Sequence, residues 1–160
     1  MKLSLNSIFN RNTALSSLTL LLLSCVVCEV LSSSPLSIKE SLEENGKGSF
    51  IFDGWAGKPL KVFITVPPET HQQTSIVIIL HGRSRNAEGY RNSWHSYALD
   101  NNFIAVVPEF KSSTFPKDTF NWGNIRSLKG RTVERQFWLL SVIEPLFDEV
   151  RGQLNIQSDF

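Results

Sequence analysis

Cysteine is almost absent from this chain: among 160 residues there are two, Cys25 and Cys28. The sequence beyond them offers neither a disulfide framework nor a cysteine nucleophile. Its three histidines, His71, His81 and His95, do not follow the spacing of zinc ligands. We therefore expect no metal site, and no motif indicates a cofactor.

A charge excess is also lacking, since 16 basic residues face 15 acidic ones and the net charge is +1. No basic stretch stands out, which argues against nucleic acid as a partner. The apolar content of 41% is typical of a packed globular chain. The length suits about one domain.

The amino-terminal residues have the pattern of an export signal. Lys2 and Arg11 lie in a polar start, and Ala14–Leu23 is an uncharged apolar run. We predict a signal peptide over residues 1–24 and a protein that is exported, either secreted or held at the cell envelope. The sequence Leu22–Cys25 resembles the lipobox of bacterial lipoproteins, in which Cys25 would be lipidated and attach the chain to the membrane.

A competing interpretation of the same run is an uncleaved anchor from Ala14 to Leu31, although Glu29 lies inside it. Residues 32–48 are polar and rich in Ser, Glu and Gly, with Pro35 among them. This composition is typical of a linker. We therefore divide the remaining chain into a linker over residues 25–47 and a folded part over residues 48–160.

The folded part begins with strand patterns. Ser49–Asp53 and the alternating segment Leu60–Val66 predict an antiparallel hairpin at a sheet edge. The apolar run Ile76–Leu80 predicts a strand buried on both faces. It stops at His81 and Gly82, where the carboxyl end of such a strand borders a binding crevice.

A helix and another strand follow this buried run. Asn86 is a candidate cap, and Asn101 with Asn102 is a candidate stop. An apolar stripe predicts the buried face of the helix: Tyr90, Trp94, Tyr97 and Ala98. Phe103–Val107 is the next buried strand. This order predicts a right-handed βαβ crossover and an α/β fold with a mixed sheet.

A second helix is predicted after the irregular segment 109–130, with Thr132 as its cap and Gly152 at its end. Pro145 would kink it. Its predicted buried face consists of Val133, Phe137, Leu140, Ile143, Phe147 and Val150.

The region 48–160 resembles the first half of an α/β-hydrolase domain in its hairpin, its strand ending in His-Gly, its helix and its strand ending in Val-Pro-Glu-Phe. More closely, His81–Glu88 with Tyr90–Trp94 is similar to a group of bacterial esterase-like hydrolases. Asn121–Asn124 and Val142–Phe147 carry the same resemblance. This group is similar to the extracellular polyester-depolymerase and feruloyl-esterase lineage.

The resemblance implies ester hydrolysis through a serine nucleophile, a histidine base and an acid. In this family the loop after the His-Gly strand donates one backbone N–H to the oxyanion. Gly82 and Arg83 match that loop by position, and the Arg83 N–H is the expected donor. His81 is expected to support the loop. The implied substrate is a small-molecule or polymeric ester.

The chain contains no Gly-x-Ser-x-Gly sequence, and the family's elbow would follow a strand that begins near Phe160. We therefore expect an exported serine hydrolase of the esterase type, present as a truncated chain without its triad. Such truncation predicts that the second helix exposes its apolar face. The alternative is a non-catalytic exported or lipid-anchored protein with a vestigial hydrolase-like half-domain. The sequence thus leaves open whether the chain is an enzyme.

Overall fold

A computed structural model describes residues 37–158, apart from the side chain of Asp118. The signal peptide predicted over residues 1–24 and the lipidation predicted at Cys25 lie outside this range. The described strands and helices are β1 (Lys47–Phe52), β2 (Leu60–Thr65), β3 (Ser75–Ile78), α1 (Ala87–Asp100), β4 (Phe103–Glu109), α2 (Lys117–Asn121) and α3 (Ile143–Leu154). Within residues 37–158, no helix has the length and apolar character needed to cross a membrane.

The strands form one mixed sheet in the order β1-β2-β4-β3. β1 and β2 form the predicted antiparallel hairpin, and β1 is an edge strand. β2 also pairs antiparallel with β4, whereas β3 pairs parallel with β4. The hairpin and the β3-α1-β4 crossover predicted from the sequence are therefore present.

The prediction that residues 76–80 are buried on both faces is wrong. β3 ends at Ile78, and its apolar residues are half-buried. Leu80 has 41% of its surface exposed. The reason is the position of β3, which lies at an edge of the described sheet and has β4 as its one neighbour. An apolar run indicates a strand but does not indicate how many neighbours the strand has.

Apolar layers cover both faces of the sheet, because successive residues of a strand point to opposite sides. Ile104 and Val106 of β4 belong to one layer, together with Leu146 and Val150 of α3. The layer on the other face contains Phe103, Ala105 and Val107 with Ala87 and Ala98 of α1. The sheet thus has a helix packed on each side, as in other α/β proteins.

The buried face of α1 differs from the predicted stripe. Ala98 is buried as expected, but Trp94 and Tyr97 are exposed and Arg91 is buried instead. The Arg91 guanidinium lies over the Phe63 ring and donates to the carbonyl oxygens of Gly48 and Ile64, at 3.5 and 3.3 Å. Burial lowers its pKa from the ordinary arginine value. A buried cation on an aromatic ring thus replaces an apolar contact.

The second helix begins later than predicted, at Ile143, after two short 3₁₀ turns. Thr132 does not cap it but forms a β-bridge with Arg126. Pro145 lies in the first turn of α3, where the missing N–H has no partner to lose. The reason to expect a kink is therefore removed, and Phe137 and Leu140 are exposed.

The end of α3 and its apolar face also correct the sequence predictions. Asn155 ends the helix in the left-handed conformation, three residues beyond Gly152. Leu146, Phe147 and Val150 are buried, so within α3 the expected exposure does not occur, and it is confined to Phe137 and Leu140 before the helix. The helix packs on the layer that contains Ile104 and Val106.

Part of the predicted linker packs onto the domain. Ile38 is fully buried in the layer that α3 covers. Its N–H donates to Oε1 of Gln153, on α3, at 2.7 Å. The Gly46 carbonyl accepts from the Val66 N–H. Residues 37–46 therefore belong to the folded part, and the polar composition of the segment concealed the single buried isoleucine.

We predict that Ile38→Ala lowers the free energy of unfolding by about 2–5 kcal/mol, the usual cost of emptying a buried isoleucine site. Urea unfolding followed by circular dichroism measures this loss. The control is Lys39→Ala at the exposed neighbouring position, expected to change stability by about 0.5 kcal/mol or less. Equal midpoints for the two variants would contradict the packing of this segment.

Candidate functional site

The candidate site lies at the carboxyl ends of β3 and β4. Because these strands are parallel, the loop 79–86 after β3 meets the segment 110–121 after β4. Open α/β sheets bind their ligands at this edge. His81, Gly82 and Arg83, the predicted site residues, all lie in the first of these segments.

His81 is buried and bound on both ring nitrogens. Its Nε2 accepts from the backbone N–H of Phe110 at 3.0 Å, so this nitrogen carries no proton. Nδ1 therefore carries the proton and donates to the Gly82 carbonyl at 3.0 Å. With both nitrogens engaged and 4% of its surface exposed, His81 has the contacts of a loop support and not those of a base.

Gly82 and Arg83 present unbound peptide N–H groups. Within the described residues neither N–H donates a hydrogen bond, whereas the Gly82 carbonyl accepts from both His81 and the Arg85 N–H. The Gly82 carbonyl is thus bound on the protein side, whereas the two neighbouring N–H groups have no described acceptor. Free donors in this position are what an oxyanion requires. The role of these groups at an oxyanion stays a prediction.

The space beside Gly82 is limited by Tyr90 of α1. A Cβ built on Gly82 would approach the Tyr90 hydroxyl oxygen to 3.1 Å, closer than ordinary contact. Gly82 does not have a positive φ; the left-handed residue in this loop is Arg85, with a φ of 57°. Glycine is therefore favoured at position 82 by close approach and not by backbone conformation.

The Arg85 side chain is held by contacts with the protein, which the sequence did not indicate. Its Nη1 donates to the carbonyl oxygens of Phe110 and Phe115, at 2.6 and 3.1 Å. Its guanidinium lies 3.6 Å from the centroid of Phe120. Burial lowers its pKa from the ordinary arginine value.

A small cleft of about 270 Å³ opens beside this loop. The loop after β3 and the segment after β4 line it with Arg83, Ser84, Arg85, Ser112, Lys117 and Asn121. Arg83 and Lys117 are exposed, and neither forms an ion pair with a described side chain. The described lining contains no carboxylate, so two exposed cations without a described ion-pair partner line the cleft beside the loop of the predicted oxyanion donors.

An aromatic pocket of about 470 Å³ lies on the same segment after β4. Trp55 from the β1–β2 turn, Phe115 and Phe137 are among its lining residues. The turn reaches this edge because β2 runs antiparallel to β4, with Lys61 opposite Glu109. The segment that carries α2 thus borders a basic cleft and an apolar pocket.

The other histidines make local contacts. His95 Nδ1 lies 3.2 Å from the Thr65 hydroxyl, and burial, Lys47 and Arg91 lower its pKa. His71 Nδ1 accepts from the backbone N–H of Gln73. In the part of the chain that the structure describes, no cluster of His, Cys, Asp and Glu is suited to a metal ion.

Comparison with solved structures identifies the fold. Poly(aspartic acid) hydrolase-1 from a Sphingomonas species has a TM-score of 0.68 and 41% sequence identity over 70% of this chain and 43% of its own. A poly(3-hydroxybutyrate) depolymerase from Bordetella parapertussis has a TM-score of 0.66 and 20% identity over 75% of this chain and 42% of its own. No family profile and no curated protein sequence matches the chain.

The described residues therefore have the α/β-hydrolase fold, and the resemblance to this superfamily is confirmed. The similarity in sequence is to a polymer-degrading hydrolase. The chain spans less than half the length of either of these proteins.

We predict that Gly82→Ala destabilises the chain by about 1–3 kcal/mol, because the new methyl group crowds the Tyr90 hydroxyl. Tyr90→Phe removes that oxygen, so it is expected to recover most of the loss in the double variant. A double-mutant cycle measured by thermal unfolding isolates this coupling. An equal loss with Tyr and with Phe at position 90 would show that the crowding is elsewhere.

Proposed function

We propose that these residues form the sheet and oxyanion loop of an exported serine hydrolase of the esterase type. The observation that carries the proposal is the pair of unbound N–H groups at Gly82 and Arg83, held between His81 and Arg85. Ester and amide cleavage both pass through a tetrahedral oxyanion, which such donors stabilise. The nucleophile, acid and base of the proposed triad are not assigned to any residue of this chain.

The substrate we propose is a polymer that carries carboxylates. The solved relative at 41% identity is a hydrolase of poly(aspartic acid), which is a polyanion. In this chain Arg83 and Lys117 line the cleft beside the predicted oxyanion loop and have no described ion-pair partner. Exposed cations in a cleft attract anionic ligands and raise their local concentration.

We expect the 160-residue chain to hydrolyse ester and amide substrates no faster than buffer. Donors alone supply an oxyanion site but no attacking group, and no Gly-x-Ser-x-Gly elbow is present. Release of p-nitrophenol from short-chain esters and of new amines from poly(aspartate) measures this. The Sphingomonas hydrolase is the positive control for poly(aspartate), and turnover near its rate would contradict the expectation.

The DNA that follows codon 160 is a second test of the proposal. A reading frame there that encodes Gly-x-Ser-x-Gly would supply the proposed nucleophile. Its absence would favour the alternative, a non-catalytic exported protein with a vestigial hydrolase-like half-domain.

Binding to poly(aspartate) tests the substrate class without requiring turnover. We expect the chain to bind fluorescent poly(aspartate), and the double variant Arg83→Gln/Lys117→Gln to bind at least tenfold more weakly. Affinity is also expected to fall with added salt, as for other exposed charges. Fluorescence anisotropy measures both effects.

A matched control for this experiment is Arg126→Gln/Lys129→Gln, which removes the same two charges outside the cleft. We expect this variant to bind nearly as well as the parent chain. An equal loss of affinity in both double variants would show that binding depends on net charge and not on the cleft. Binding of neutral poly(3-hydroxybutyrate) oligomers in place of poly(aspartate) would favour a polyester substrate.

A further inference from the structure

Phe110, the first residue after β4, has both of its backbone polar groups bound by side chains of one loop. Its N–H donates to Nε2 of His81 at 3.0 Å. Its carbonyl oxygen accepts from Nη1 of Arg85 at 2.6 Å. His81 and Arg85 flank residues 82–84 in the sequence. The loop after β3 is therefore hydrogen-bonded to the end of β4 both before and after these three residues.

The ring of Phe120, in α2, is a third point of attachment. The His81 ring is stacked on it, with centroids 5.3 Å apart and an angle of 17° between the planes. The Arg85 guanidinium lies 3.6 Å from the centroid of the same ring. A guanidinium over an aromatic face is attracted by the ring quadrupole. The two side chains that bind Phe110 thus also hold α2.

The backbone of Arg85 is unfavourable for arginine. Its φ of 57° is in the left-handed region, which glycine and asparagine adopt more readily. Its Nη1 atom binds a second carbonyl, that of Phe115, at 3.1 Å. Nη1 thus donates to two carbonyls while the plane of the guanidinium stacks on a ring; a lysine ammonium offers donors but no planar face. These contacts explain an arginine where the backbone favours a smaller residue.

We propose that Arg85 is a positioning residue, which together with His81 fixes the direction of the free N–H groups of Gly82 and Arg83. The contacts of His81 and Arg85 with Phe110 and Phe120 together form the Phe110 clamp. That the clamp would position donors for an oxyanion rests on the proposed function. That the clamp holds the loop does not rest on it, because a loop can be fixed whether or not the chain takes part in hydrolysis.

The wild-type chain offers a direct test by nuclear magnetic resonance. A bound guanidinium rotates slowly about its Nε–Cζ bond, so Arg85 is expected to show separate Nη signals while exposed Arg83 shows an averaged one. The His81 nitrogen shifts are expected to be those of the neutral Nδ1–H form. An averaged Arg85 signal or the opposite His81 tautomer would overturn the proposal.

Substitution provides the second test. In Arg85→Ala the Phe110 N–H is expected to exchange with deuterium at least tenfold faster, with shift changes at residues 81–86 and 110–121. The amides of Ile64 and Val106 in the sheet are expected to keep their rates. Arg85→Lys is expected to restore the Phe110 rate in part, since its ammonium can donate to the carbonyls but has no planar face to stack on Phe120.

Arg83→Ala is the control for this series, since Arg83 is an exposed arginine of the same loop and makes none of the clamp contacts. We expect the Phe110 rate to be unchanged in this variant. An unchanged rate in Arg85→Ala, or a rise shared equally by Ile64 and Val106, would overturn a positioning role. None of these readouts depends on turnover or polymer binding, so a failure here leaves the proposed function standing, and the converse also holds.

Discussion

The parallel pairing of β3 with β4 is the constraint on which the site depends. Ser75 lies opposite Phe103 and Ile78 opposite Val106, so both strands end at the same edge. Without this register the loop after β3 would not reach the residue after β4, and His81 could not accept from Phe110. The crossover helix makes the parallel pairing sterically possible, and the antiparallel β2 then brings the β1–β2 turn to the same edge.

Around Gly82 the loop after β3 has a bound carbonyl and unbound N–H groups. The Gly82 carbonyl is bound twice, by the His81 ring and by the Arg85 N–H. The N–H groups of Gly82 and Arg83 have no partner among the described residues. A polar group without a protein partner is tolerable only where water or a ligand can reach it. The Gly82 carbonyl is therefore satisfied by the protein, and the N–H groups of Gly82 and Arg83 require water or a ligand.

The sequence patterns predicted the local structure of individual segments well, but they predicted poorly which segments pack against one another. The Asn86 cap is present, with its side chain accepting from the Gly89 N–H, because a cap depends on residues close in sequence. The half-burial of β3 could not be predicted, because it depends on which strands lie beside it. For α3, Pro145 indicated a kink when read against a helix from Thr132, but it is harmless in a helix that begins at Ile143. The contacts of Phe110 left no pattern in the sequence, since they use its backbone.

Three arginines close together in the chain show why the site could be predicted only in part. Arg91 is buried over Phe63, Arg85 is held by two carbonyls and a ring, and Arg83 is exposed at the cleft. All three carry the same charge, and their spacing does not separate these environments. Arg85 and Arg91 each donate from Nη1 to two carbonyl oxygens, whereas the exposed Arg83 side chain donates to no described residue. The fold, and not the residue type, thus leaves the Arg83 side chain without a described partner at the cleft, whereas Arg85 lines the same cleft with a guanidinium that is bound to the protein.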